Sequence, residues 1–348
     1  MSVLFLLTIS NVFSKFSLGR IILFLGTYIF LFTLVGFVTY TPDLFFYEYW
    51  MKNDSEREPF FTLSIQFIKE YEYLHYFFTA VYSFLLLFLI SRFTNNILIV
   101  TLLYIPLLYL FYITQIRYFM GIYAVYLALY YFFVKSNKVL ALIFLLFGIS
   151  NHFGLLLFLL FVPFFYVSEE KIIKYSLYGM GILSGCLLLL IVLGTTIFSG
   201  IRFVAYFSRD LVSSFTGGIY AFFPYFIVWI FTVNVYQNNL KYNPFLLSDK
   251  KYKYLVIMSI VPIIFLGVAF FLHVIGHRVI ITATLFQILF FLYSLKYYKN
   301  KFNKIIGFIS IYTFLVTYIF VLPRFLGIDD SLQEAYKVFI SNSLFYLQ

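Results

Sequence analysis

Three short polar clusters interrupt an otherwise lipid-like chain: Gln115 to Arg117, Asn151 to His152, and His273 to Arg278. An arginine carries a permanent charge on a planar fork of donors, and a histidine exchanges its proton near neutral pH. With 63% of the residues hydrophobic and only 11% charged, an arginine at the edge of an apolar span carries a desolvation cost that a surface arginine does not. Such positions are where binding or proton transfer is to be sought. Asp43 and Glu58 add carboxylates at points where an acidic segment meets apolar sequence, which makes them further candidates for proton transfer. His273 and His277, four residues apart, can share a helical face as metal ligands. No glutamate follows them in zinc-protease fashion and no third ligand is evident, so they read better as support for Arg278. No metal or other cofactor is expected.

These residues must be positioned by membrane helices. Apolar runs of the length that crosses about 30 Å of hydrocarbon recur along the 348 residues, at a mean hydropathy of +0.97. They cover 3–13, 21–40, 74–90, 97–113, 118–134, 139–167, 175–198, 219–236, 254–272, 279–295 and 305–322. The chain therefore reads as an all-α, polytopic integral membrane protein forming a single transmembrane domain over 1–348. The first run lacks a basic segment before it and a small-residue cleavage site after it, so it is expected to be a short span and not a cleaved signal. The run at 139–167 is the informative one. As one helix it is about 44 Å long, too long without strong tilt, and Asn151, His152 and Gly154 break its middle. Two short helices forming a hairpin near residue 151 reverse the chain instead.

Lysine and arginine positions decide between the two topologies, because cytoplasmic loops carry the excess. With the hairpin, 15 of the 24 basic residues and 3 of the 14 acids face the cytoplasm, a net of +12 inside and −2 outside. Without it, the lysine-rich loops at 241–253 and 296–304 face outward. About twelve membrane segments with both termini outside are thus expected. The same accounting explains the basic balance without a nucleic-acid partner.

On that topology all three clusters share the outer face with an acidic loop at 41–73, a loop at 199–218 and a C-terminal tail at 323–348. Within the first loop, Pro59 fits a first helical position, and Phe60, Leu63, Phe67 and Tyr71 recur at helical spacing. An amphipathic helix lying on the membrane is expected there. The tail is expected to hold a short surface helix over 329–345, capped by Asp330 or Ser331. The single Cys186 lies inside a span and excludes an intrachain disulfide. The 50 Phe and 33 Tyr, abundant together with Ile, Asn and Lys, match what an AT-rich genome yields and do not by themselves argue for sugar stacking.

Over roughly residues 20–295 the sequence resembles the EpsG family of polysaccharide-polymerising membrane proteins, relatives of the Wzy-type O-antigen and capsule polymerases. The resemblance is carried by Asp43, Tyr47 and Tyr49 after an early span, then by Glu58 and Phe60. It continues with IRYFMGIYAVYLALYYF from Ile116, GISNHFGLLLFLLFVPF around His152, and Arg278 opening a late span. Its most specific part is an arginine followed about 35 residues later by a histidine. Two departures are visible: Tyr118 follows Arg117 where the family favours glutamine, and Phe153 and Gly154 follow the histidine where a small hydroxyl residue is usual.

The resemblance implies a GT-C-like architecture in a bacterial inner membrane. It implies an inverting glycosyl transfer between polyprenyl-pyrophosphate-linked oligosaccharides on the outer face. The expected partners are that substrate, membrane lipids and a chain-length-regulating membrane protein. A pyrophosphate leaving group needs its charge neutralised, and guanidinium forks fit phosphate oxygens, so Arg117 and Arg278 are the implied phosphate binders. Arg202 and Arg209 are further contacts to phosphate or glycan, with Gln115, His277 and Tyr47 completing the substrate-binding set. An acceptor hydroxyl needs a base; His152 is the first candidate, then Glu58 or Asp43. The rivals are another lipid-dependent glycosyltransferase or O-antigen ligase, which uses the same face, and a transporter or flippase, which usually leaves ionisable groups near the bilayer midplane. No glycine loop with lysine for cradling phosphates is present, which argues against a cytoplasmic nucleotide-driven enzyme.

Overall fold

A computed structural model describes residues 13–38, 44–52, 58–197, 215–297 and 301–320. Expected features at 3–12, at Asp43, Arg202 and Arg209, and in the 323–348 tail lie outside the described residues. All described elements are helical. They divide into two compact units, residues 1–160 with 319–348, and residues 161–318. Five described helices are long and apolar enough to cross a membrane: Ser17–Gly36, Tyr71–Ser91, Ile116–Phe133, Glu169–Leu189 and Lys250–Phe271. The protein is thus a helical, multi-pass membrane protein.

The first unit begins with α1 (Ser17–Gly36), the short helices α2 (Leu44–Lys52) and α3 (Pro59–Phe67), then α4 (Tyr71–Ser91), α5 (Ile97–Thr114) and α6 (Ile116–Phe133). Helix α6 is its centre. Tyr123, Tyr126 and Tyr130 are fully buried along it, whereas α1 turns Ile21, Leu25 and Ile29 outward at 56%, 52% and 59% exposure. Apolar side chains so exposed on a spanning helix are what lipid contact requires. Helices α1 and α4 run antiparallel, since Phe24 packs edge-on to Phe84 at 5.9 Å and His75 donates its Nε2–H to the Val35 carbonyl at 2.9 Å. Phe93, just beyond α4, packs on Tyr130 near the end of α6, so α6 and α4 run the same way.

After a turn in which Ser136 takes a left-handed φ of 54°, α7 (Lys138–Asn151) starts with the Asn137 side chain accepting from the Leu140 N–H. Helix α7 returns antiparallel to α6, with Tyr131 stacked on Phe144 and Gly121 facing Gly148. His152 is extended, with φ −159° and ψ 110°, and a 3-10 helix (Phe153–Phe165) follows. The chain reverses there. Tyr118 lies beside His152, Gly121 beside Leu155, and Tyr126 beside Phe158, so the 3-10 segment retraces α6 in the direction opposite to α7. The long apolar run is two helices, as the polar residues at its middle predict.

Helix α3 starts where Pro59 fits, with Glu58 as its cap residue. The stripe read from its sequence faces outward at Leu63 and Phe67, and a neighbouring one packs on the unit. Phe61, Ser64 and Ile65 are buried, while Leu63 and Phe67 are 50% and 79% exposed, and Ile68 leaves the helix so that Tyr71 opens α4.

The second unit comprises α8 (Ile172–Ile197), α9 (Phe215–Tyr242), the nearly continuous rod of α10 (Lys250–Ile260), a 3-10 turn (Val261–Phe265) and α11 (Leu266–Phe271), then α12 (His273–Ser294) and α13 (Lys301–Phe320). The rod is its buried centre. Several of the polar groups against it are paired internally, as a lipid-embedded core favours: the Trp229 indole donates to the Ile260 carbonyl at 3.0 Å, and the Asn239 amide donates to Tyr252 and Ser294 at 2.9 Å each. Asp249 caps α10 and accepts from Tyr293, and Lys253 pairs with Glu169 at 3.0 Å.

Candidate functional site

Four residues singled out in the sequence converge in the first unit at the tip of the α7 hairpin. Arg117 sits in the first turn of α6, directly after Gln115, whose non-helical backbone (φ −118°, ψ 44°) separates α5 from α6. Its Nη1 donates to Glu58 Oε2 at 2.8 Å, with the two side chains only 13% and 18% exposed. Its Nε donates to the Tyr47 hydroxyl at 3.4 Å. Three aromatic rings surround the guanidinium: Phe61 at 4.5 Å, Trp50 at 5.1 Å and Tyr47 at 5.2 Å from their centroids. These contacts account for the burial of the cation, because a carboxylate, a phenol and three π faces replace its water. They also fix the plane of the guanidinium.

His152 faces the same carboxylate. Its Nδ1 lies 3.5 Å from Glu58 Oε1, and the Gly154 N–H points at that same nitrogen from 3.4 Å. The two contacts require opposite states of Nδ1. A protonated Nδ1 turns toward Glu58 and leaves Nε2 as the proton acceptor, the arrangement in which a carboxylate-oriented histidine acts as a base. A bare Nδ1 accepts from Gly154. The imidazole also packs edge-on against Tyr118, with centroids 5.6 Å apart. Both departures from the expected neighbours thus touch the histidine: Tyr118 supplies that wall, and Gly154 leaves room for the ring, since a Cβ there would lie 3.3 Å from His152 Cε1.

Asn151, 1% exposed, donates Nδ2 to the Phe147 carbonyl at 2.7 Å, while its Oδ1 is buried with no hydrogen-bond partner among the described residues. The base of the site is held by Phe60 against Phe147, edge-on at 4.8 Å, which ties α3 to α7.

A sequence profile of the EpsG family matches residues 21–333. The chain belongs to the EpsG family. This is the family of Wzy-type polymerases, associated with polysaccharide polymerisation. No curated protein and no solved structure matches the chain.

Of the site residues expected for an EpsG protein, Tyr47, Glu58, Arg117 and His152 form one cluster, and Gln115 adjoins it in the chain. Arg278 belongs to the second unit, in the first turns of α12 and partly buried. His277 lies on the same helix, its side chain outside the described residues. Among the described residues no group of three or more histidine, cysteine or acidic side chains could hold a metal ion.

Sequence reasoning did not foresee Trp50, Phe61 and Tyr118 as site walls. Trp50 was the most accessible of these, one of only two tryptophans and three residues after Tyr47 on a short helix. Glu58 was expected as a possible base. In the structure it pairs with Arg117 and faces the imidazole.

Proposed function

We propose that this protein polymerises polyprenyl-pyrophosphate-linked oligosaccharide repeat units on the outer face of the bacterial inner membrane, by inverting glycosyl transfer. The observation that carries this reading, beside family membership, is the sharing of one carboxylate by a guanidinium and an imidazole at the hairpin tip. The acceptor sugar hydroxyl gives its proton to His152 Nε2 as its oxygen bonds to the anomeric carbon of the growing chain. The bond from that carbon to the pyrophosphate oxygen breaks, and polyprenyl pyrophosphate leaves with the electron pair. Arg117 offsets the charge that develops on the leaving group. Glu58 holds Arg117 flat against its aromatic walls and orients the imidazole.

Arg278 is a second phosphate binder in this scheme, and Arg202, Arg209, Gln115, His277 and Tyr47 contact phosphate or glycan. Asp43 remains the reserve base. The scheme takes about twelve membrane segments, a GT-C-like architecture and outward-facing termini, in keeping with the distribution of lysine and arginine.

Deletion of the gene followed by sizing of the surface glycan tests it. A polymerase predicts glycan reduced to single repeats. Long chains stranded on the lipid carrier indicate a ligase, and repeats trapped inside the cell indicate a flippase; either result overturns the proposal.

A further inference from the structure

The first unit has a second polar end, about 31 Å from the candidate site along the 21 residues of α4. Tyr71, which opens α4, stacks near Tyr47 of the site at 6.3 Å, whereas Ser91 closes the helix at the far end. A cavity of about 300 Å³ lies there, between the start of α1 and the turn joining α4 to α5. Its mouth carries Arg20, Thr94 and Asn95, and its wall is Ile21, Phe24 and Leu25.

Three properties of this cavity belong together. Its cation has no acid nearby in sequence: residues 1–42 and 73–168 contain no aspartate or glutamate, yet Lys15, Arg20, Arg92, Lys135 and Lys138 all lie at the ends of helices that meet on this side. Arg20 is exposed, and its one side-chain hydrogen bond among the described residues runs from Nε to the Ser14 carbonyl at 2.9 Å, which leaves its terminal amino groups for an anion. The wall below continues directly into the lipid-facing stripe of α1, where Ile21 and Leu25 are more than half exposed. The volume corresponds to about ten waters, more than a bare phosphate fills.

We infer that this cavity binds an anionic phospholipid, its phosphate held by Arg20 and Asn95 at the mouth and its acyl chain lying along Ile21, Phe24 and Leu25. A phosphodiester supplies the counter-charge that the sequence omits at this end, and the hydrocarbon covers an apolar wall already turned to the bilayer. Neither half of the ligand accounts for the cavity alone. The inference stands independently of the polymerase reading, because it uses none of the residues at the hairpin tip.

Native mass spectrometry of the full chain, purified in a neutral detergent and titrated with phosphatidylglycerol, tests it. The wild-type protein is expected to retain one phosphatidylglycerol about tenfold more tightly than phosphatidylcholine with the same chains, and not to release it to millimolar inorganic phosphate. Arg20→Gln and Asn95→Glu are each expected to weaken that retention about tenfold. Asn95 is exposed, so the second variant places a repelling charge at the mouth without disturbing the bond between Arg20 and Ser14. Equal retention in both variants overturns the inference. Equal retention of the two lipids removes the anionic specificity and overturns it too, and displacement by inorganic phosphate reduces the cavity to a simple anion site.

Discussion

Replacing Gly148 by alanine probes whether the α6–α7 contact holds the site in register. A Cβ at 148 would lie 2.6 Å from Val125 Cγ2 and 2.8 Å from the Gly121 carbonyl oxygen. Ordinary contact needs 3.4–4 Å, so α7 must move off α6 by roughly 0.6–1 Å, or Val125 must change rotamer while the carbonyl contact still forces a shift. Overpacking of this kind costs about 1–3 kcal/mol, corresponding to a fall in unfolding temperature on the order of 5 °C. The functional loss should be larger than the stability loss. His152 follows one turn after Gly148, and its Nδ1 is already 3.5 Å from Glu58; a misplacement of about 1 Å at a reacting group can cost on the order of 100-fold in rate.

The measurement pairs glycan chain length in a complemented deletion strain with thermal unfolding of the purified protein. Gly26→Ala and Gly185→Ala are the controls, since nothing lies within 4 Å of a Cβ at either position; both should leave chain length and unfolding temperature unchanged. Adding Val125→Ala to Gly148→Ala should restore part of the loss and not all of it, because the backbone carbonyl remains. A Gly148→Ala protein indistinguishable from Gly26→Ala in both readouts would refute the close approach of the two helices and the dependence of His152 on it.

Arg117→Ala should abolish long chains with protein levels intact, and Arg117→Lys should fail nearly as badly, because an ammonium cannot lie flat among Tyr47, Trp50 and Phe61 while reaching Glu58; normal chain lengths in the alanine variant remove Arg117 from the site. Arg278→Ala should likewise shorten the glycan at normal protein level, and wild-type chains would assign it to interfacial anchoring alone. His152→Ala should stop polymerisation without changing the unfolding temperature by more than a few degrees; full activity would move the base to Asp43 or Glu58.

Helix positions were legible because a lipid environment leaves so few options for an apolar run. The segments read at 97–113 and 118–134 are helices Ile97–Thr114 and Ile116–Phe133, since the backbone must satisfy itself internally and only helices of that length do so within one chain segment. The reversal at His152 was legible from length and from polar residues placed where lipid does not favour them. The packing face of α3 was not. Phe60 and Phe61 differ by about 100° around a helix, and where both water and lipid surround a helix, hydrophobicity does not say which apolar stripe meets protein. The ion pair was hidden for another reason: Glu58 and Arg117 are 59 residues apart, and nothing local records which acid will meet which base. The topology estimate placed both on one side of the membrane, which narrows the search without naming the pair.

The role of Glu58 can be decided by asking what happens to Arg117 when Glu58 takes a proton. A carboxylate that acts as the catalytic base must become neutral during each turnover. Were Glu58 that base, its 2.8 Å pair with a guanidinium only 13% exposed would be stripped of its negative member at the moment the leaving pyrophosphate needs the cation in place, and breaking such a pair from one side is the costly case. His152 can be protonated without that penalty, because the imidazolium forms beside the Glu58 carboxylate while the pair with Arg117 stays intact. In the proposed scheme Glu58 is therefore a positioning residue, and Glu58→Gln separates the two roles. The amide oxygen still accepts from Arg117 and the side-chain shape is kept, so a positioning role predicts a loss of about 10- to 100-fold in chain extension, with Glu58→Asp recovering part of it. The purified Glu58→Gln protein should also unfold at a lower temperature than wild type, and the Glu58→Gln, Arg117→Gln double variant should be no less stable than the single one. If Glu58→Gln is wholly inactive while His152→Ala still polymerises, proton transfer belongs to the carboxylate and the assignment reverses.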